Sequence, residues 1–305
     1  MVIDRETLKS VESSLTINHR SENKGLLNKE IKGFHSHGFP AMHPVTRVGE
    51  ENMHLRDSEK DSRLQLIFVP GIFSPEAWKY QMNYFSEDYR AISFWPTLSN
   101  RDLEGHRKAL KNILDQKDVD NAVLIGANFT NPVIQGFEAR EDVAGTVLVG
   151  AKRKLKKGVP KEVYQALTSK KFPVKLSKKL FFSSMRYREV RNFCRDTEFI
   201  GFDDFKTFQK RFGVRQPEKE ALIVHGKNDF FSDEGYAREL MSSASVSVLD
   251  AGIFSFYEKP QEFNKTLNDF LLKIKRKAVQ ERIEETKERN RTLEEFEKKL
   301  AKVKN

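Results

Sequence analysis

The sequence predicts an α/β protein: a doubly wound, mostly parallel sheet carrying a basic helical insertion and a charged carboxyl-terminal helix. Two observations carry this expectation. From Leu64 to Ala151, short apolar runs alternate with helical patterns in the order β-α-β-α-β-α-β, which calls for parallel strands joined by crossover helices on both faces. After some sixty residues of different character the alternation resumes at Ala221, so the intervening stretch reads as an insertion into one sheet.

Each element has its own signal. Two extended stretches from His43 to Arg56 flank Gly49, Glu50 and Glu51 and predict a hairpin. Leu64 to Val69 is an apolar run ended by Pro70 and Gly71, followed by a helix over about Glu76 to Phe85 and a strand from Arg90 to Phe94. A helix from about Leu103 to Leu114 leads into a strand from Ala122 to Gly126; a second helix begins near Pro132, and Gly145 to Val149 is another buried strand. Beyond the insertion come a strand from Ala221 to Val224, a helix near Asp233 to Met241 and a strand from Val246 to Leu249.

The last helix starts at about Pro260, since proline suits a first helical turn, and Phe263, Leu267, Phe270, Leu271 and Ile274 give it an apolar face. Past Lys275 nearly every residue is polar or charged. There Thr292 with Glu295 resembles a capping box, and Leu293, Phe296, Leu300 and Val303 follow at 3-4-3 spacing. That pattern fits either a short partner-seeking helix or a solvated helical tail. The expected organisation is a flexible polar extension over 1–42, a core over 43–151 and 216–275, a basic cap over 152–215 and a charged helical tail over 276–305.

Composition narrows the function classes. With 32% charged residues and a mean hydropathy of −0.62, part of the chain is expected outside the core. No run approaches eighteen apolar residues and the first ten residues alternate charges, so neither a membrane span nor a secretory signal is expected. A lone cysteine, Cys194, cannot form an internal disulfide, which fits a soluble intracellular protein, cytoplasmic or, given its basic runs, nuclear. The net charge of +10 is localised: residues 152–191 hold fourteen Lys or Arg against two Glu, so everything else sums to −2.

Lys152, Arg153, Lys154, Lys156 and Lys157 open that segment and are the candidate anion-binding residues. Three readings fit it: a nucleic-acid surface with Tyr164, Phe172, Phe181, Phe182 and Tyr187 for stacking; a patch on anionic lipid with Leu180, Phe181 and Phe182 as wedge; or a cap whose lysines face water while its aromatics pack on the sheet. An acidic protein is a further anionic partner, and the carboxyl-terminal helix is a candidate protein contact. No cofactor is expected. No metal is expected either: His35, His37, His43 and His54 cluster in sequence but lack cysteines or carboxylates at ligand spacing.

Five segments then carry a resemblance. Arg47 to Arg56 forms an opening hairpin, Phe68 to Phe73 holds Pro70-Gly71 after a buried strand, and Val123 to Thr130 joins a strand to a helix through Gly126-Ala127-Asn128. Val224 to Asp229 and Asp250 to Phe254, running on to Pro260, complete the order. In this order the chain resembles the α/β-hydrolase family over about residues 43 to 275. The resemblance implies a nucleophile elbow at Val123 to Thr130, an acid loop ending at Asp229 and a histidine loop at Asp250 to Phe254.

At the implied triad positions stand Asn128, Asp229 and Ile253. An amide nitrogen is delocalised and a poor nucleophile, although asparagine tolerates the strained turn of an elbow. An aliphatic side chain cannot move a proton, and the remaining Asp229 has no imidazole to orient. Gly126 keeps the first small position of the elbow, while Thr130 replaces the second. Substitutes are sparse: His106 and His225 are the histidines after the hairpin, and Ser74, Thr130 and Ser255 are the nearby hydroxyls. Two functions follow: an inactive hydrolase-like protein serving as a binding or scaffold module, or an ester or acyl hydrolase with a non-standard centre. The second reading would use the backbone amides of Ile72 and Phe129 as an oxyanion hole.

Overall fold

The computed structural model describes residues 45–152, 161, 164, 168, 178, 182–229, 234–239 and 244–303. One eight-stranded sheet organises them, in the order β1-β2-β4-β3-β5-β6-β7-β8. The strands are β1 (Val45–Val48), β2 (Glu51–Asp57), β3 (Gln65–Val69), β4 (Arg90–Pro96), β5 (Ala122–Ala127), β6 (Val143–Val149), β7 (Ala221–Gly226) and β8 (Ser245–Leu249). The β1–β2 hairpin pairs antiparallel with itself and with β4; every other pairing is parallel. Central strands buried on both faces read as near-continuous apolar runs, and β3, β5 and β7 are buried at every residue, with Gln65 and His225 their polar members. β8 sits at the sheet edge, where only Leu249 is buried.

The helices are α1 (Lys79–Phe85), α2 (Leu103–Gln116), α3 (Asn131–Gln135), α4 (Tyr187–Asp196), α5 (Phe202–Lys210), α6 (Glu234–Glu239), α7 (Ser255–Glu258) and α8 (Pro260–Val303). The helix expected from Glu76 is two elements: a 3-10 turn over Pro75–Trp78 that hands over to α1. Asp102 caps α2 by accepting from the Gly105 amide at 2.8 Å, and the helix buries Leu103, Leu110 and Ile113. α8 lays Phe263, Leu267, Phe270, Leu271 and Ile274 into the core, as its spacing predicts.

Beyond Ile274, α8 continues without interruption to Val303. The cap expected at Thr292 is therefore absent: its hydroxyl donates to the Glu288 carbonyl at 3.0 Å, the bond a mid-helix threonine makes to the preceding turn. No helix among the described residues is long and apolar enough to cross a membrane.

His106 on α2 is completely buried against Phe94, Trp95 and Phe208. Its Nδ1 donates to the Asp102 carbonyl at 2.9 Å in the neutral tautomer, while Nε2 has no hydrogen-bond partner among the described residues. Burial pushes its pKa down from 6.5 to about 4. Between those values the unfolded chain binds the proton and the folded chain refuses it, so stability is lost as pH falls from about 6.5 towards 4. The expected loss is about 3 kcal/mol. Urea melts at pH 7 and pH 4.5 should diverge in the native protein and much less in His106→Phe; equal divergence in both would remove His106 as the cause.

Candidate functional site

Asn128, Asp229 and Ile253 follow the carboxyl ends of β5, β7 and β8, the edge of a parallel sheet where crevices form. After Ala127 the chain turns through a 3-10 segment, Asn128–Thr130, into α3. Asn128 takes φ 52°, in the left-handed region that asparagine enters more readily than most residues. Gly126 is required: a Cβ there would lie 2.7 Å from Thr130 Oγ1.

Thr130 holds the turn from inside. Its hydroxyl accepts from the Ala127 amide at 2.7 Å and donates to the Ala127 carbonyl at 3.1 Å. Its methyl fills the space over Gly71 (φ 67°), where any Cβ would overlap Thr130 Cγ2. A larger residue on the elbow is thus matched by a glycine on the neighbouring loop, and the segments carrying Ile72 and Phe129 lie side by side.

Asn128 and Asp229 meet around Gly150, which follows β6 at φ 68°. A Cβ there would collide with Asn128 Oδ1 and sit 3.1 Å from Asp229 Oδ2, so both oxygens converge on one glycine. Asn128 Nδ2 reaches the Ile253 carbonyl over 3.5 Å, at the long limit of a hydrogen bond. A link made between two side chains in a working triad runs here from a carboxamide to backbone. Asn128 Oδ1 is buried with no hydrogen-bond partner among the described residues. Next along the chain, Asn131 Nδ2 donates to the Val149 carbonyl at 3.0 Å and ties α3 to the end of β6.

The other candidates are distributed as follows. Ser74 Oγ accepts from the Glu198 amide at 3.0 Å and the Ser74 amide donates to the Glu198 carbonyl at 2.8 Å, so this serine fastens the insertion to the core. Ser255 Oγ is buried with no hydrogen-bond partner among the described residues, two residues beyond Ile253. His225 is buried on β7 opposite Val248, and His106 belongs to the α2 aromatic cluster. The Ile72 carbonyl accepts from the Ile200 amide at 3.2 Å.

Aromatic rings from between β6 and β7 pack on Phe129 and Phe254. Phe129 packs on Phe205 of α5 and on Phe212, with centroids 4.9 and 4.6 Å apart, and Tyr164 stacks on Phe205 at 4.1 Å. Phe182 and Phe193 lie against Phe254 of the loop bearing Ile253, at 5.5 and 4.7 Å. This corrects the stacking expectation: Tyr164 and Phe182 are committed to the interior and cannot stack on a nucleobase, whereas Tyr187 is 51% exposed. Phe172, Leu180 and Phe181 lie outside the described residues, as do Arg153, Lys154, Lys156, Lys157, His35, His37, His43 and residues 1–42. Lys152 is half-buried, and its carbonyl accepts from the Val214 amide at 2.8 Å.

Sequence reasoning missed Glu258. Its nearly buried carboxylate accepts from the amides and hydroxyls of both Ser183 and Ser184 at 2.6 to 3.1 Å, and from the Gly252 amide at 3.1 Å. One side chain thereby staples the insertion to the loop that carries Ile253. Among the described residues, no group of three or more His, Cys, Asp or Glu side chains is placed to hold a metal.

No protein-family model matches the chain, and no curated protein matches it. Solved structures do. An enol-lactonase from Burkholderia xenovorans superposes with a TM-score of 0.57 at 18% identity, over 75% of this chain and 99% of its own. A thermophilic esterase from Thermogutta terrifontis gives 0.59 at 13% identity, over 77% and 98%. A meta-cleavage product hydrolase from Pseudomonas fluorescens gives 0.58 at 16% identity, over 75% and 97%. With the mostly parallel eight-stranded sheet, these likenesses establish that the chain has the α/β-hydrolase fold.

Proposed function

We propose that this protein is an α/β-hydrolase-fold chain without hydrolytic chemistry, acting as a binding or scaffold module. The observation that carries the reading is the Asn128 carboxamide at the elbow, whose nitrogen reaches the backbone carbonyl of Ile253 in place of an imidazole. Neither residue can supply a nucleophile or move a proton at neutral pH. The packing of Phe129 by Phe205 and Phe212 supports it further, because those rings occupy space above the turn. The test is hydrolysis of p-nitrophenyl esters of graded chain length. The native protein is expected to be silent and Asn128→Ser/Ile253→His to gain activity; native turnover that survives Asn128→Ala would sink the proposal.

A second reading, an ester or acyl hydrolase with displaced groups, draws on the buried Ser255 hydroxyl beside the Ile253 loop, which has no hydrogen-bond partner among the described residues, and on the hydrolases that share the fold. Native turnover abolished by Ser255→Ala would favour it.

For the module itself, the proposed surface is the basic insertion beginning at Lys152, with an anionic partner. Binding of a fluorescent oligonucleotide should weaken steeply as salt rises. Replacing the basic residues from Lys152 to Lys157 by neutral ones should flatten the log–log slope by about 0.7 to 0.9 for each phosphate they neutralise. Binding indifferent both to salt and to that substitution would remove the insertion as the site.

A further inference from the structure

We infer that the distal half of α8 pairs antiparallel with the same segment of a second copy of this chain. The helix leaves the core after Ile274, and from Gln280 to Glu294 nearly every side chain is exposed, including Leu293 at 52%. Its charges fall in blocks of alternating sign. Residues 281–285 carry three Glu and one Arg; 287–291 carry three Lys or Arg and one Glu; 294–297 carry three Glu; 298–304 carry four Lys. Among the described side chains of 281–294, one ion pair, Arg291 with Glu288 at 3.0 Å, forms within the helix, so most of these charges are not consumed by their neighbours.

The order of the blocks selects both partner and direction. Two copies laid antiparallel and crossing at Thr292 set 287–291 against 294–297 and 281–285 against 299–303, so every block meets its opposite. A parallel, in-register pair would set each block against its like. The overlap from Glu281 to Val303 spans about 33 Å of helix, roughly three heptads, enough for a two-helix contact. Ile283 and Leu293 lie on the described part of that overlap and supply apolar area.

The pairing also brings the partner's lysine-rich end beside the root of α8. There a cavity of about 890 Å³ lies between α8 and the loops preceding β3 and β5, lined by Glu59, Asp61, Asp118, Asp120, Glu281 and Glu285. Of the cations that share it, Arg90 and Lys117 are already bound to Asp57 at 2.8 and 3.4 Å. That leaves six carboxylates against Lys60, Arg63 and Arg282, an excess of three that suits the three lysines of 298–303.

The experiment is sedimentation equilibrium of the full chain with charge-swapped variants. The native protein should show twice the 35.4 kDa chain mass at low salt and dissociate as salt rises. Reversing one block, as Glu294→Lys/Glu295→Lys/Glu297→Lys or as Lys287→Glu/Arg289→Glu/Arg291→Glu, should weaken the dimer by at least about a hundredfold. Mixing the two variants should restore it, since each then meets a complementary face. Direction is read by cross-linking in a Cys194→Ser background: Glu285→Cys and Lys299→Cys chains should join when mixed, and neither should join to itself. A single 35.4 kDa species at all concentrations, a dimer indifferent to block reversal, or self-linking of Glu285→Cys would each overturn the inference.

Discussion

Gly71→Ala is expected to unfold the protein or cost it more than about 4 kcal/mol, the range reached when a side chain is forced into a filled core at a disfavoured backbone angle. Two penalties coincide there. Gly71 sits at φ 67°, and the added Cβ would overlap the methyl of Thr130, which is fully buried and fixed by two hydrogen bonds to Ala127. The penalties can be separated. Thr130→Ser removes Cγ2 but keeps the hydroxyl, so Gly71→Ala/Thr130→Ser should recover the steric part and leave about 1 to 2 kcal/mol of backbone strain. Urea denaturation of the cycle measures this; strictly additive losses would show that the glycine and the threonine are not a matched pair.

Glu258→Ala is the second large effect, with an expected loss of at least about 3 kcal/mol, because hydrogen bonds to a charged acceptor contribute about 1.5 to 3 kcal/mol each and several vanish together. The substitution strands the Gly252 amide next to Ile253 and frees Ser183 and Ser184 from the core. It should therefore raise hydrogen exchange at Ser183, Ser184 and Gly252 ahead of global unfolding, while Ser74, fastened separately to Glu198, keeps its protection. Uniform loss of protection across the sheet would mean that Glu258 stabilises the fold generally and does not act as a local staple.

What was legible in the sequence was whatever depends on neighbours along the chain. Strands buried on both faces announced themselves as apolar runs at Leu64 to Val69 and Ala122 to Gly126, and the core-facing side of α8 as helical spacing from Phe263 to Ile274. The positions that the resemblance implies for a triad, Asn128, Asp229 and Ile253, each follow a strand that has its own signal. The Gly71–Thr130 fit and the Glu258 staple were not legible. Their partners lie 59 and about 75 residues apart, and nothing in either local sequence records the pairing. Thr292 failed for a different reason: its capping pattern is real, but a cap forms only where the preceding turn is not helical, and α8 is already helical there. The aromatics of the insertion were ambiguous because stacking on a base and packing on a sheet call for the same rings; burial of Tyr164 and Phe182 assigns these two to packing.

The continuity of α8 has a mechanical side. No proline or glycine follows Pro260 in its 44 residues, so the helix holds no site predisposed to act as a hinge along about 66 Å. Whatever grips its far end holds a stiff lever whose fulcrum is the burial of Phe263, Leu267 and Phe270 in the core. A pull near Val303 is carried along the helix towards α7 and the core, and the exposed turns beyond Ile274, which have no core packing to hold them, are the first to yield.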